Sequence, residues 1–277
     1  PSANEIRWHP TDPELMLLVK NNEITSWNYY TEQESTLINL SGYSNVSMGN
    51  TGNFSEDGTM IGVMATRNSD GKEVTFKLNF SSGQKFGDID LSSFNVDFVT
   101  ISPLGNYIVV NANFGSGFDR TRIYDAETLN QVGNQWNEYG RPSHFDVAID
   151  ENGDEVVVGT SKSSPDEGRV IKRRMSDGNV TVLTSGAYSG HATSRSLQRP
   201  GWVFTQTSSS TSWLPYLNEI IAVKLDGTRV ERICNFRKEY VNYYNEAQPC
   251  VSPSGSRVIF ASDWKSGNVP IQGYVVD

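Results

Sequence analysis

Five stretches of the chain share one plan: NFSEDGTMIGVMA, TISPLGNYIVVNA, AIDENGDEVVVGT, SLQRPGWVFTQ and CVSPSGSRVIFAS. Each is a short β-type run, a tight turn closing on glycine, and a second β-type run. The turn glycines are Gly58, Gly105, Gly153, Gly201 and Gly255, at nearly even intervals, with the last interval lengthened by the insertion SSSTSWLPYLN. A sixth, diverged copy opens the chain as EIRWHPTDPELMLLV, with Asp12-Pro13 in place of the glycine turn. An internal repeat of this kind narrows the architectures open to a chain more than any composition figure does.

The pattern continues between these anchors. A third β-type run follows in each copy: EITSWNYY, EVTFKLNF, TRIYDAE, RVIKRRM, EIIAVKL and QGYVVD. A polar turn such as SSG, SDG or LDG comes next, then a fourth run such as VTVLTS or VERICNF. Four short strands in about 45–50 residues is the period of a propeller blade. Runs such as Ile108-Val109-Val110 and Val156-Val157-Val158 are apolar on both faces, as a sheet packed between two others requires. Helical periodicity is nearly absent, so almost no helix is expected. The expected fold is an all-β propeller of six visible four-stranded repeats, the last one incomplete, forming a single domain over residues 1–277. The chain opens on an inner strand and stops at VVD, before a sixth outer strand. That count points to a shortened seven-bladed parent, with a six-bladed ring holding one three-stranded blade as the alternative.

Composition excludes several classes. The formal charge of −9 argues against a nucleic-acid binder, which would carry a basic face. No apolar run approaches the ~20 residues that a spanning helix needs. Cys234 and Cys250 lack metal-site spacing, and their disulfide status stays open. The sequence starts at Pro1 without Met or a signal peptide and reads as processed or as a fragment. Plentiful Asn, Ser, Thr and Gly with scarce Lys suit a secreted or periplasmic protein.

The repeat also sets a register for chemistry-bearing residues. His144 lies nine residues before Gly153, and His191 ten before Gly201. Asn245 and Glu246 lie ten and nine before Gly255. All four are therefore expected at one height, at the start of three consecutive inner strands, ringing the mouth of a central channel. Alternation places His144 with Asp146 on one face, and His191 with Thr193 and Arg195 on another. The loops reaching that rim carry Tyr188, Trp213, Tyr243, Tyr244 and Trp264. Aromatic faces beside amide and guanidinium donors suit sugar rings, which offer C–H faces and hydroxyl edges. The plain structural alternative is that these histidines only satisfy buried backbone groups. His9, near a turn, reads as structural. Lys172-Arg173-Arg174 on a third strand reads as a solvated charge run.

Two resemblances enter on particular residues. VSPSGSRVIFASDW resembles the TolB-type and WD40-like propeller repeat, which implies the fold. The segments Arg7–Pro13, Ser143–Asp146, Gly190–Arg195, Arg199–Trp202 and Ser252–Trp264 together resemble a set of secreted bacterial propellers. More distantly, the chain is similar to propeller polysaccharide lyases of the oligogalacturonate and ulvan lyase type. In the last blade of the former, a Gln-x-x-His-Pro-x-His segment helps bind a metal. Here Asn245, Gln248 and Cys250 stand at those places, and an amide is a far poorer ligand than imidazole. No metal and no cofactor is therefore expected.

The lyase resemblance would cast Arg195 as the group neutralising a uronate carboxylate. His191 or His144 would be the base, and Tyr243 or Tyr244 the proton donor. The expected function is recognition of a carbohydrate or polysaccharide at the channel mouth. Candidate binding residues are Asp146, Tyr188, Trp213, Asn245, Glu246, Gln248 and Trp264. The alternatives are β-elimination on an acidic polysaccharide, and a non-catalytic platform for a protein partner.

Overall fold

The structure is a computed structural model. It describes residues 3–50, 52–112, 121–134, 136, 142–186, 190–207, 216–237, 246–264 and 271–277. These fall in two compact units, Pro1–Gln135 and Trp136–Asp277. The described residues contain strands and turns and no helix.

In the first unit, β1 (Glu5–Trp8), β2 (Leu15–Lys20), β3 (Glu23–Asn28) and β4 (Glu34–Asn39) form one antiparallel sheet. A second holds β5 (Tyr43–Ser47), β6 (Met60–Arg67), β7 (Glu73–Asn79) and β8 (Ile89–Asp90). A third holds β9 (Val96–Ile101), β10 (Tyr107–Ala112) and β11 (Thr121–Asp125), and a lone Tyr124–Gln131 bridge marks its outer edge.

In the second unit, β12 (Pro142–Ile149), β13 (Glu155–Ser161), β14 (Val170–Arg174) and β15 (Val180–Val182) pair in chain order. So do β16 (Ala192–Thr193), β17 (Trp202–Gln206), β18 (Glu219–Lys224) and β19 (Val230–Asn235). The last sheet has three strands, β20 (Cys250–Val251), β21 (Val258–Ser262) and β22 (Gln272–Val276).

Each sheet is thus an up-and-down meander, and the repeat expected from sequence is this meander. All five turn glycines take positive φ, from 69° to 82°, a conformation that side chains with a Cβ resist. Successive turns within a unit are tied together. The Glu56 N–H donates to the Pro103 carbonyl at 2.7 Å, and the Gln198 N–H to the Pro253 carbonyl at 2.9 Å. His9 serves the same purpose: its Nε2 lies 3.0 Å from the Gly58 carbonyl oxygen, and its ring fills the space where a Gly58 Cβ would stand.

The cores lie between neighbouring sheets. Leu17, Val19 and Ile24 of the first sheet pack with Ile61, Val63 and Phe76 of the second. Val156 and Val158 of β13 pack with Val203, Ile221 and Val223 of the next sheet. Phe204 and Ile220 pack in turn with Val258 and Phe260. Burying each such side chain contributes about 1.5–3 kcal/mol, which drives sheet-on-sheet stacking.

Two expectations need correction. Lys172-Arg173-Arg174 is not a solvated run. β14 is an inner member of its sheet, so one of its faces turns inward and carries charge with it. Lys172 is buried and ion-paired to Asp150 at 2.7 Å and Glu151 at 2.8 Å. Arg173 lies over the Trp136 ring at 4.4 Å, and burial pushes its guanidinium down to about 10. Arg174 alone behaves as a surface charge, pairing with Asp154 and Asp177. The simple alternation drawn for β12 also fails, because a bulge interrupts its pairing with β13 between Ser143 and Asp146. Cys234 and Cys250 are free thiols.

Candidate functional site

The bulge sets three steps of β12 against two of β13: Ser143 faces Thr160, and Asp146 faces Val158. His144 sits in it with φ of 49°, in the left-handed region. Bulges re-aim side chains, and a left-handed residue at one is a local strain that the surroundings must hold. Here the effect is to bring His144 against His191, in the neighbouring sheet. Nδ1 of His144 lies 3.2 Å from Nδ1 and 3.3 Å from Nε2 of His191. The ring centroids are 4.3 Å apart and the planes stand at 87°.

His191 immediately precedes β16, where Gly190 allows a close approach to β17. A Cβ on Gly190 would stand 2.2 Å from the Gln206 carbonyl oxygen. The His191 carbonyl accepts from the Gln206 N–H at 3.3 Å and from the Thr205 hydroxyl at 3.0 Å. Its ring reaches the third sheet of the unit: Nε2 is 2.8 Å from Oε2 of Glu246. The same oxygen accepts from Nε2 of Gln206 at 3.1 Å, and Gln206 Oε1 accepts from the Gln248 N–H at 2.6 Å. Burial pushes His191 below the ordinary imidazole range, with Lys162 adding to the effect. The site therefore presents an imidazole pair backed by one carboxylate.

Of the residues singled out from sequence, His144, His191 and Glu246 converge, and Gln248 joins them through its backbone N–H. Asp146 is engaged elsewhere. It is buried, and its carboxylate accepts from the N–H groups of Val147 and Ser194, both at 2.8 Å, which locks the first sheet of the unit to the second. Arg195 is half-buried two residues beyond β16. Trp264 is about half exposed, stacks on Tyr274 at 5.0 Å and lies 6.0 Å from the Arg237 guanidinium. Tyr188, Trp213, Tyr243, Tyr244 and Asn245 lie outside the described residues. Sequence reading missed Gln206, which is almost wholly buried and orients Glu246. Its signal was present: a polar residue closing WVFTQ, a strand whose five positions are all buried.

The sequence matches no family model and no curated protein. Solved structures resemble it in fold. An oligogalacturonate lyase in complex with manganese aligns over 96% of this chain and 74% of its own, with TM-score 0.66 at 13% identity. Oligogalacturonate lyase from Vibrio parahaemolyticus aligns over 96% of this chain and 75% of its own, with TM-score 0.66 at 11% identity. TolB from Acinetobacter baumannii aligns over 93% and 57%, with TM-score 0.52 at 13% identity. With the six meander sheets, these define the chain as a β-propeller. At such identities the likeness speaks for fold and leaves activity to the site itself.

The manganese of the first structure invites a test of the corresponding segment here. Gln248 uses its backbone N–H to hold Gln206. Desolvation, with the Asp146 carboxylate adding to it, pushes the Cys250 thiol up, and its sulfur is a soft donor. Among the described residues no group of three or more His, Cys, Asp or Glu side chains is arranged to hold a metal ion. The donors at this segment do not fit a hard divalent cation. Among the same residues, no helix is long and apolar enough to cross a membrane.

Proposed function

We propose that this β-propeller is a secreted or periplasmic protein that recognises a carbohydrate at the mouth of its central channel. The observation that carries the reading is the convergence of His144, His191 and Glu246, drawn from three successive sheets to within 3.3 Å of one another in sequence along the series. Imidazole and carboxylate edges held in this way bond hydroxyl groups, which neutral sugars present in pairs and triplets. In sequence, Tyr243, Tyr244 and Asn245 precede Glu246 and Tyr188 precedes His191, and tyrosine and asparagine are residue types that stack on and bond to sugar rings.

Isothermal titration against a panel of neutral oligosaccharides and oligogalacturonate tests the reading. Binding that weakens at least tenfold in His191→Ala supports it. Binding that is indifferent to His191, or no binding to any of the panel, contradicts it.

The fold likeness to oligogalacturonate lyase over 96% of the chain favours one second reading, β-elimination on an acidic polysaccharide. Under it, oligogalacturonate incubated with the protein gains ultraviolet absorbance from unsaturated product, and His191→Ala abolishes the gain. Under the recognition reading the absorbance stays flat.

A further inference from the structure

The segment Glu246–Gln248 is held by one side chain of the neighbouring sheet. Gln206 closes β17 with only 1% of its surface exposed. Its Oε1 accepts from the Gln248 N–H at 2.6 Å. A backbone N–H only donates, so this bond fixes which end of the amide is oxygen and turns Nε2 onto Oε2 of Glu246, at 3.1 Å. The side chain packs directly over Gly190, where a Cβ would stand 2.4 Å from its Cγ. Between the two bonded residues, Ala247 is fully buried, and its carbonyl accepts from the Ala261 N–H at 2.8 Å. Oε2 of Glu246 also meets Nε2 of His191, at 2.8 Å. Both contacts of the carboxylate thus fall on one oxygen. Among the described residues Oε1 makes no hydrogen bond, and the side chain keeps 19% of its surface exposed. A carboxylate has two acceptor oxygens, so the second is open to what reaches the cluster.

We propose that Gln206 is a positioning residue that pins Glu246 by Oε2 and leaves Oε1 as a specificity-determining acceptor, which takes a hydroxyl donor of the ligand and rejects a uronate carboxylate. The hydroxyl clause rests on the carbohydrate reading above; the pin rests on the bonds among Gln206, Glu246 and Gln248. A sugar hydroxyl has a proton to give, and a bond to a charged acceptor is stronger than one between neutral groups. A uronate carboxylate has none, and sets like charge against like in a partly buried place. Holding the acceptor in advance removes the cost of ordering it when the ligand arrives. The arrangement therefore favours neutral sugars over the acidic ones that β-elimination requires.

The pin is read without ligand from the side-chain 13C carboxyl signal of Glu246 in the full chain, assigned by its loss in Glu246→Gln. Gln206→Met is expected to move that signal, and a signal that stays in place overturns the pin. Isothermal titration against the neutral oligosaccharides and oligogalacturonate of equal length reads the specificity. The parent is expected to bind a neutral chain about tenfold more tightly or better, and Glu246→Gln, which removes the charge, to shrink that ratio by about tenfold. Oligogalacturonate bound as tightly as the best neutral chain, or a ratio indifferent to Glu246→Gln, overturns the specificity clause. Gln206→Glu keeps an acceptor for the Gln248 N–H and loses only the donor to Glu246, whereas Gln206→Met loses both bonds and puts no charge in the buried place. Each is expected to weaken the neutral ligand about tenfold, and Gln206→Met to cost less than about threefold in the Glu246→Gln background. An equal loss in both backgrounds would make Gln206 merely structural and overturn its positioning role. If Gln206→Met moves the carboxyl signal but no saccharide binds, the carbohydrate reading and the hydroxyl clause fall, and the pin is supported.

Discussion

Lys172→Met tests a buried ion pair. Nζ of Lys172 lies 2.7 Å from Oδ2 of Asp150 and 2.8 Å from Oε1 of Glu151, and the Lys172 and Asp150 side chains are only 8% and 4% exposed. Removing one partner of such a pair costs about 3–5 kcal/mol, because the other charge is left buried. Asp150 also accepts the N–H groups of Asn152 and Asp154, which survive the change, and Glu151 turns to water. The expected loss is therefore roughly 3 kcal/mol, at the lower end of that range. For a chain of 277 residues that is a fall in Tm of roughly 5 °C.

Urea unfolding followed by circular dichroism measures the loss, with Asp150→Asn and the double variant completing a cycle. The double variant should lose less than the sum of the singles, since no orphaned charge remains. Burial by itself raises Asp150, but the bonds from Lys172, Asn152 and Asp154 outweigh it and hold the carboxyl below its usual range. The corresponding bonds from Asp150 and Glu151 hold Lys172 above its own range against burial. The stabilisation is thus present from above the ordinary Asp value up to the ordinary Lys value, and is lost in acid as pH falls through the depressed Asp150 value. A Lys172→Met protein within about 0.5 kcal/mol of the parent, the range of ordinary surface changes, would refute this account of the ion pair.

Three further outcomes follow from the site. His144→Asn keeps a residue type that tolerates the left-handed backbone, so stability should stay within about 0.5 kcal/mol or rise, while affinity for a bound oligosaccharide falls at least tenfold; a parallel loss of both would make His144 structural. Gly190→Ala drives a Cβ into the Gln206 carbonyl, and should cost about 1–3 kcal/mol in urea unfolding and weaken ligand binding with it. His191 is held below the ordinary imidazole value by burial and Lys162, so the unfolded chain takes up its proton first as pH falls. Its contribution to stability is complete above about pH 6.5 and is lost below that, down to the folded value. The slope of stability against pH in this window should flatten in His191→Gln.

The repeat made most of the fold legible. Glycine turns that need positive φ, third strands such as RVIKRRM and EIIAVKL, and runs apolar on both faces each correspond to an observed turn, strand or core. His144 and His191 were legible as a pair because one period separates them. How they meet was not, since a one-residue bulge leaves no mark in the hydrophobic pattern and changes which face His144 serves. Lys172 misled for a related reason: charge reads as exposure, and only the partner turn carrying Asp150 and Glu151 reveals that it is buried. Gln206 was hidden because its importance lies in two hydrogen bonds to residues some forty positions away.

The most direct test follows the side-chain signals of the three histidines while an oligosaccharide that binds the protein is titrated in. The account predicts saturable shifts in His144 and His191 together, at one stoichiometry, with His9, which is bonded to the Gly58 carbonyl in the other unit, unmoved as an internal control. Binding that leaves His144 and His191 unshifted would contradict it.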